Sequence, residues 1–156
     1  MSNYVMSKWQ QLNGSSFGRW LFTKIVCMRA PYFASISPRF EALDHNSATV
    51  YVKKRRRVTN HINTVHAIAM CNACELVAGV GMEANMPKHM RWIPKGMTVS
   101  YLAKSTGGVR VQGRFTIPEG SEAVDVPVQC DVVDDAGKLV MTAVVTMYLS
   151  PRKKAE

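Results

Sequence analysis

Between Tyr4 and Met28 apolar residues recur at helical spacing in two runs separated by Asn13-Gly14-Ser15-Ser16, and the second run stops short of Pro31. The pattern predicts two short helices. A first strand is expected within Phe33 to Leu43, interrupted near Pro38. In a second, Ala48, Val50 and Val52 alternate with Thr49, Tyr51 and Lys53, and Asp44-His45-Asn46 supplies the turn between them. Val109, Val111, Phe115 and Ile117 face one way and Arg110, Gln112, Arg114 and Thr116 the other, the alternation of a half-buried strand. Gly107-Gly108 ahead of it predicts a hairpin, with Met97, Val99 and Tyr101 in the partner strand. Val124 to Val133 and Leu139 to Leu149 flank Asp134-Asp135-Ala136-Gly137, a composition suited to a tight antiparallel turn. Successive hairpins imply an antiparallel sheet.

The segment Asn63 to Met82 differs from all of these, with Val65, Ile68, Met70, Leu76, Val77, Val80 and many alanines placing apolar groups on nearly every face. A helix of this kind is normally surrounded by protein. Asn63 or Thr64 can cap its start, and Gly79 and Gly81 loosen its end. The expected class is α+β, a sheet wrapped around one central helix. At 156 residues the chain suits a single domain, and Arg152-Lys153-Lys154 has the look of a frayed terminus. The apolar run Trp20 to Met28 is broken by Lys24 and the first fourteen residues are polar, so neither an integral membrane span nor a secretory signal is expected. A cytoplasmic location is expected. Cys27, Cys71, Cys74 and Cys130 are unevenly spaced, which favours reduced thiols in the core.

Twenty basic residues against eleven acidic ones give a net charge of +9, which attracts anionic partners without naming them: nucleic acid, acidic lipid or a phosphate-bearing small molecule such as coenzyme A. Lys53-Lys54-Arg55-Arg56-Arg57 concentrates that charge, but no aromatic residues are interleaved to stack bases. From Val58 to Met82 the one residue among Asp, Glu, Lys and Arg is Glu75, in the middle of the predicted buried helix. Burying a carboxylate costs several kcal/mol unless it is paired, and desolvation raises its pKa toward the range useful in acid–base chemistry. A structural ion pair is the alternative. His66 lies nine positions earlier, so on one helix the two side chains would point to opposite faces about 13.5 Å apart along the axis. They can share a site if two copies of the helix meet about a two-fold axis. His61, His66, Cys71 and Cys74 offer metal-binding side chains but share no face, and Cys71 and Cys74 have no second pair to complete a zinc site, so no metal is expected. Met70, Met82, Met86, Met90 and Met97 could line an adaptable pocket or simply fill the core.

Asn60 through Glu75, Asn-His-Ile-Asn-Thr-Val-His-Ala-Ile-Ala-Met-Cys-Asn-Ala-Cys-Glu, resembles the active-site segment of hotdog-fold thioesterases of the PaaI-like group. That group has an Asn, a His six positions on that opens a His-Gly-Gly stretch, and an Asp or Glu nine after the His, positions that fall here on Asn60, His66 and Glu75. The resemblance covers about 33–149 and implies a hotdog core there, with 1–32 as a helical extension of the same domain. It further implies that Glu75 is nucleophile or general base, that Asn60 positions water or substrate, and that His66 orients the thioester. The Ala67 N–H would polarise the thioester carbonyl at the helix start. Ala67 and Ile68 stand where the group has Gly-Gly, and Asn63 where a glycine is common. The implied activity is hydrolysis of acyl-CoA, or of an acyl carrier protein thioester, by a homodimer or homotetramer. No cofactor, metal, nucleic acid or membrane is implied. The competing readings are an acyl-CoA binding or sensing module without turnover and a hotdog hydratase or dehydratase.

Overall fold

The computed structural model describes residues 3–152. Helices α1 (Tyr4–Leu12) and α2 (Ser16–Arg29) form where the apolar spacing places them. Each begins at a polar side chain that takes up a helix N–H with no partner inside the helix: Asn3 Oδ1 accepts from Val5 and Ser15 Oγ from Gly18. The predicted first strand is shorter than expected, because Pro31–Ile36 coils into a 3-10 turn that ends at Ser37 in the left-handed region (φ 45°). Then follow β1 (Arg39–Leu43), β2 (Ser47–Val52), a 3-10 turn at Arg56–Val58, and the central helix α3 (Ala67–Asn85). Strands β3 (Met90–Tyr101), β4 (Val109–Arg114), β5 (Val124–Asp134) and β6 (Leu139–Pro151) complete the elements of the described residues.

All six strands join one antiparallel sheet in the order β1-β2-β4-β5-β6-β3. The predicted hairpin between β3 and β4 is not formed: β3 crosses to the far edge and pairs with β6, Val99 opposite Ala143 and Tyr101 opposite Met141. Gly107 and Gly108 serve close approach rather than a turn. A Cβ on Gly107 would lie 2.5 Å from the Asp135 carboxylate and one on Gly108 2.4 Å from the Tyr51 hydroxyl. The β5–β6 hairpin forms as expected, with Gly137 at φ 79° in its turn.

One face of the sheet wraps α3. Leu76, Val77 and Met82 of the helix are fully buried with Val50, Val111, Val128, Val145 and Met147 of the strands. The helix packs tightly at Gly113 of β4, where a Cβ would stand 2.9 Å from Val77, so a side chain there would push helix and sheet apart. Gly79 and Gly81 do not loosen the helix, which runs on to Asn85. By length and hydropathy alone α3 could cross a membrane, yet 61% of that stretch is buried inside the protein, as befits a core helix. The N-terminal helices are held by an edge-to-face aromatic group, Trp9, Phe22 and Phe40, with ring centroids 5.1 to 6.4 Å apart. Buried Thr23 ties α2 to β1 by donating to Arg19 O and accepting from Phe40 N–H. Of the basic tail, Arg152 donates to the carbonyls of His89 and Met90, while Lys153 and Lys154 lie outside the described residues.

Candidate active site

The chain enters α3 through a tight loop. Thr59 and Val65 form a β-bridge, Asn60 N–H donates to Thr64 O (3.0 Å), and His66 N–H donates to Val58 O (2.8 Å). Asn60 organises this turn from within: its Oδ1 accepts from the backbone N–H groups of Ile62 and Thr64, and its Nδ2 donates to Thr64 Oγ1 (2.9 Å). Both ends of its amide thus bond within the loop. Asn63 sits at φ 57°, a backbone conformation that glycine and asparagine adopt most readily, and this excludes the predicted helix cap there. The cap is His66, whose Nδ1 accepts the Ile68 N–H at 3.0 Å.

Capping leaves one donor over. Ala69 and Met70 donate to His66 O and Ile68 to the His66 ring, but no acceptor among the described residues takes the Ala67 N–H. It is the first N–H of a nineteen-residue helix, where the helix dipole favours developing negative charge.

The loop is anchored from a distance. Val65 N–H donates to Ser105 Oγ (3.0 Å), and Ser105 is only 2% exposed. Its neighbour Thr106 donates both N–H and hydroxyl to the buried Asp134 carboxylate, at 3.0 Å each, which also accepts from the Ala136 and Lys138 N–H groups. These donors, Thr106 N–H foremost, hold the Asp134 carboxyl below its ordinary pKa. Ser105 and Asp134 were not candidates from sequence, since nothing local signals that either reaches the helix start.

Glu75 corrects an expectation. Its helix is buried, but Glu75 itself is exposed, on an outward stripe with Ile68 (56% exposed) and half-buried Cys71. The sheet covers one side of α3 and leaves this stripe open. Beside it, Tyr101 at the end of β3 brings its hydroxyl to 3.8 Å from Cys71 Sγ and is 58% exposed. Tyr101 is thus a site neighbour that the strand pattern alone did not single out. Ala67 and Glu75 are eight residues apart on one helix, about 12 Å along its axis, so one chain does not bring the free N–H and the carboxylate to a single carbonyl. Near Glu75, Asn72 donates to Ser35 Oγ (3.3 Å), while its Oδ1 is buried without a partner among the described residues.

The basic run leaves the strand after Val52. Lys54 reaches Thr106 O, and Arg55, Arg56 and Arg57 are exposed immediately before the loop into α3. Among the described residues no three His, Cys, Asp or Glu side chains are placed to hold a metal ion. The four cysteines are unbridged, Cys27, Cys74 and Cys130 being buried.

A family model described as Domain of unknown function (DUF4442) matches residues 18–149, which takes in the loop, α3 and all of the sheet but the last two residues of β6. The chain belongs to the DUF4442 family. A solved structure of the genomics target APC5556 is 40% identical, with 96% of this chain and 99% of that one covered and a TM-score of 0.81. The fold is also that of thioesterase HI1161 from Haemophilus influenzae (10% identity, 88% and 94% covered, TM-score 0.74). It is equally that of thioesterase PA1618 from Pseudomonas aeruginosa (16% identity, 83% and 94% covered, TM-score 0.69). No curated protein matches the chain by sequence. The hotdog architecture expected from the segment Asn60 to Glu75 is therefore present, and this member of the DUF4442 family shares it with thioesterases.

Proposed function

We propose that the chain is an acyl-CoA thioesterase whose sites are shared between two copies. The observation that carries this reading is the pairing of an unused N–H at the start of α3 with an exposed carboxylate about 12 Å further along the same helix. Two such helices side by side about a two-fold axis place the Ala67 N–H of one copy near the Glu75 of the other. Strand β3 supports such an assembly. Its outer edge is unpaired among the described residues, and Ile93, Tyr101 and Ile68 expose apolar surface near it.

In this arrangement the thioester oxygen accepts from the Ala67 N–H, and negative charge that develops there is stabilised by the helix start. Glu75 takes a proton from water as the water oxygen bonds to the carbonyl carbon. The tetrahedral intermediate then expels the CoA thiolate, which recovers the proton from Glu75 as thiol. The alternative, attack by the carboxylate itself, gives an anhydride that water opens to the same products. Asn60 keeps the loop in shape, and His66 caps the helix while orienting the thioester. Arg55, Arg56 and Arg57 stand where the phosphates of CoA would meet positive charge. The unbridged cysteines accord with a reducing, cytoplasmic setting.

Release of free CoA from a panel of aliphatic and aromatic acyl-CoA thioesters tests the reading. Glu75→Gln should lower kcat by about 10²–10⁴ while the variant stays folded. Turnover that survives the substitution overturns it. Saturable binding of thioether analogues with no CoA release would instead establish a binding module, the reading favoured by Ile68, which is exposed, follows Ala67 and stands where the PaaI-like group that the segment resembles has glycine.

A further inference from the structure

The N-terminal helices leave a cavity of about 320 Å³ against the C-terminal half of α3. Phe22, Ile25 and Val26 of α2, with Phe33, Val80 and Trp92, supply its apolar walls, and Gly79 lines it from α3. One wall is locked in place. Trp92 Nε1 donates to Glu83 Oε2 at 2.7 Å, and the indole lies over Gly79, where a Cβ would be 3.1 Å from the ring. Glu75, Gly79 and Glu83 are spaced four apart and follow one another along one face of α3, so Gly79, where the helix begins to line the cavity, lies about 6 Å beyond Glu75 along the axis.

We propose that this cavity receives the hydrocarbon end of a straight-chain aliphatic acyl group whose thioester lies at Glu75, an assignment that rests on the thioesterase reading and adds where the acyl tail goes. The spacing selects the class of tail. An aroyl group carries its ring directly on the carbonyl carbon and ends short of a cavity one helical turn away, whereas a methylene chain spans that turn and then enters. The lining is mostly apolar, which favours a hydrocarbon tail; its charged members are Arg29, Glu83, which accepts from Trp92, and Lys8, whose Nζ donates to Gln11 Oε1 (3.1 Å). The N-terminal extension is then part of the substrate site rather than an appendage.

The test compares wild type with Val26→Phe and Ile25→Phe, two substitutions that fill the cavity from different positions, each checked for an unchanged thermal transition. Straight-chain acyl-CoA thioesters from acetyl to palmitoyl are assayed for CoA release, and the corresponding S-alkyl CoA thioethers for equilibrium binding. For wild type, kcat/KM should rise about fourfold for each methylene that enters the cavity, equivalent to about 0.8 kcal/mol, and then level off. The variants should keep acetyl-CoA turnover within about twofold and lose about tenfold or more on the longest productive chains. A chain-length profile unchanged in both variants overturns the assignment and leaves the thioesterase reading standing. Absence of CoA release together with thioether binding that shows the same length dependence, shortened by both variants, sinks hydrolysis but supports the cavity. If neither turnover nor length-dependent binding is found, both are overturned.

Discussion

Ala67 holds the first helical position of α3, where proline is tolerated because the N–H it lacks has no partner inside the helix. His66 before it lies at φ −62° and ψ 136°, in the extended region that a following proline favours. Ala67→Pro therefore replaces the N–H of the proposed site with a ring methylene at little cost to the fold. The expected result is a loss of about 10²–10³ in kcat with a melting temperature equal to or above that of wild type, measured by CoA release and thermal unfolding. Unchanged kcat would remove this N–H from the mechanism. Residues of this kind differ in how far they can be read from sequence. Glu75 stands out as a lone charge in an apolar run, but its exposure depends on which stripe of the helix the sheet leaves uncovered. Asn60 carries the family spacing, and the fold adds that its amide also bonds within the turn. Ser105 carries no local mark, because its partner, the Val65 N–H, is distant in sequence and joined to it only by the fold.

At the level of elements, the alternation from Val109 and the Asp-Asp-Ala-Gly turn between β5 and β6 are written locally, and the turn forms as predicted, whereas the strand stops at Arg114, short of the predicted Phe115 and Ile117. The place of β3 is not. Adjacent glycines signal equally a hairpin turn and a close approach of backbone to side chain, and here the second applies, against Asp135 and Tyr51. The segment 102–108 that carries β3 away from β4 is pinned by Asp134, and this has a consequence in acid. A carboxyl whose folded pKa is depressed contributes stability that is present above its unfolded pKa of about 3.9 and is lost as pH falls through the lower folded value. Asp134→Asn should accordingly be less stable than wild type at neutral pH, and the two stability curves should converge as the pH drops below about 4, measured by urea unfolding across pH. Curves that stay parallel through that range would show that the Asp134 charge does not hold the crossover.

For the whole molecule, the shared-site reading makes a prediction that neither chain alone can satisfy. In a mixed dimer of Ala67→Pro and Glu75→Gln chains, one site receives both lesions and the other receives none, so about half of wild-type activity should return per purified heterodimer. Activity no higher than that of the parent variants would mean that each chain works with its own groups. The same architecture imposes an order on biosynthesis. Among the described residues strand β3 has no partner in the sheet other than β6, which follows every other described strand in the chain, and the start of α3 is steadied through Ser105 and Thr106 by Asp134 at the end of β5. The helix that carries the proposed chemistry thus leaves the ribosome long before the residues that hold its first turn. Until β6 is made, β3 has neither a neighbour nor a finished edge to offer a second copy. A nascent chain stalled before residue 134 would carry every proposed reacting group and still have no assembled site, which leaves β6 as the strand whose arrival separates an unfinished polypeptide from one able to meet its twin.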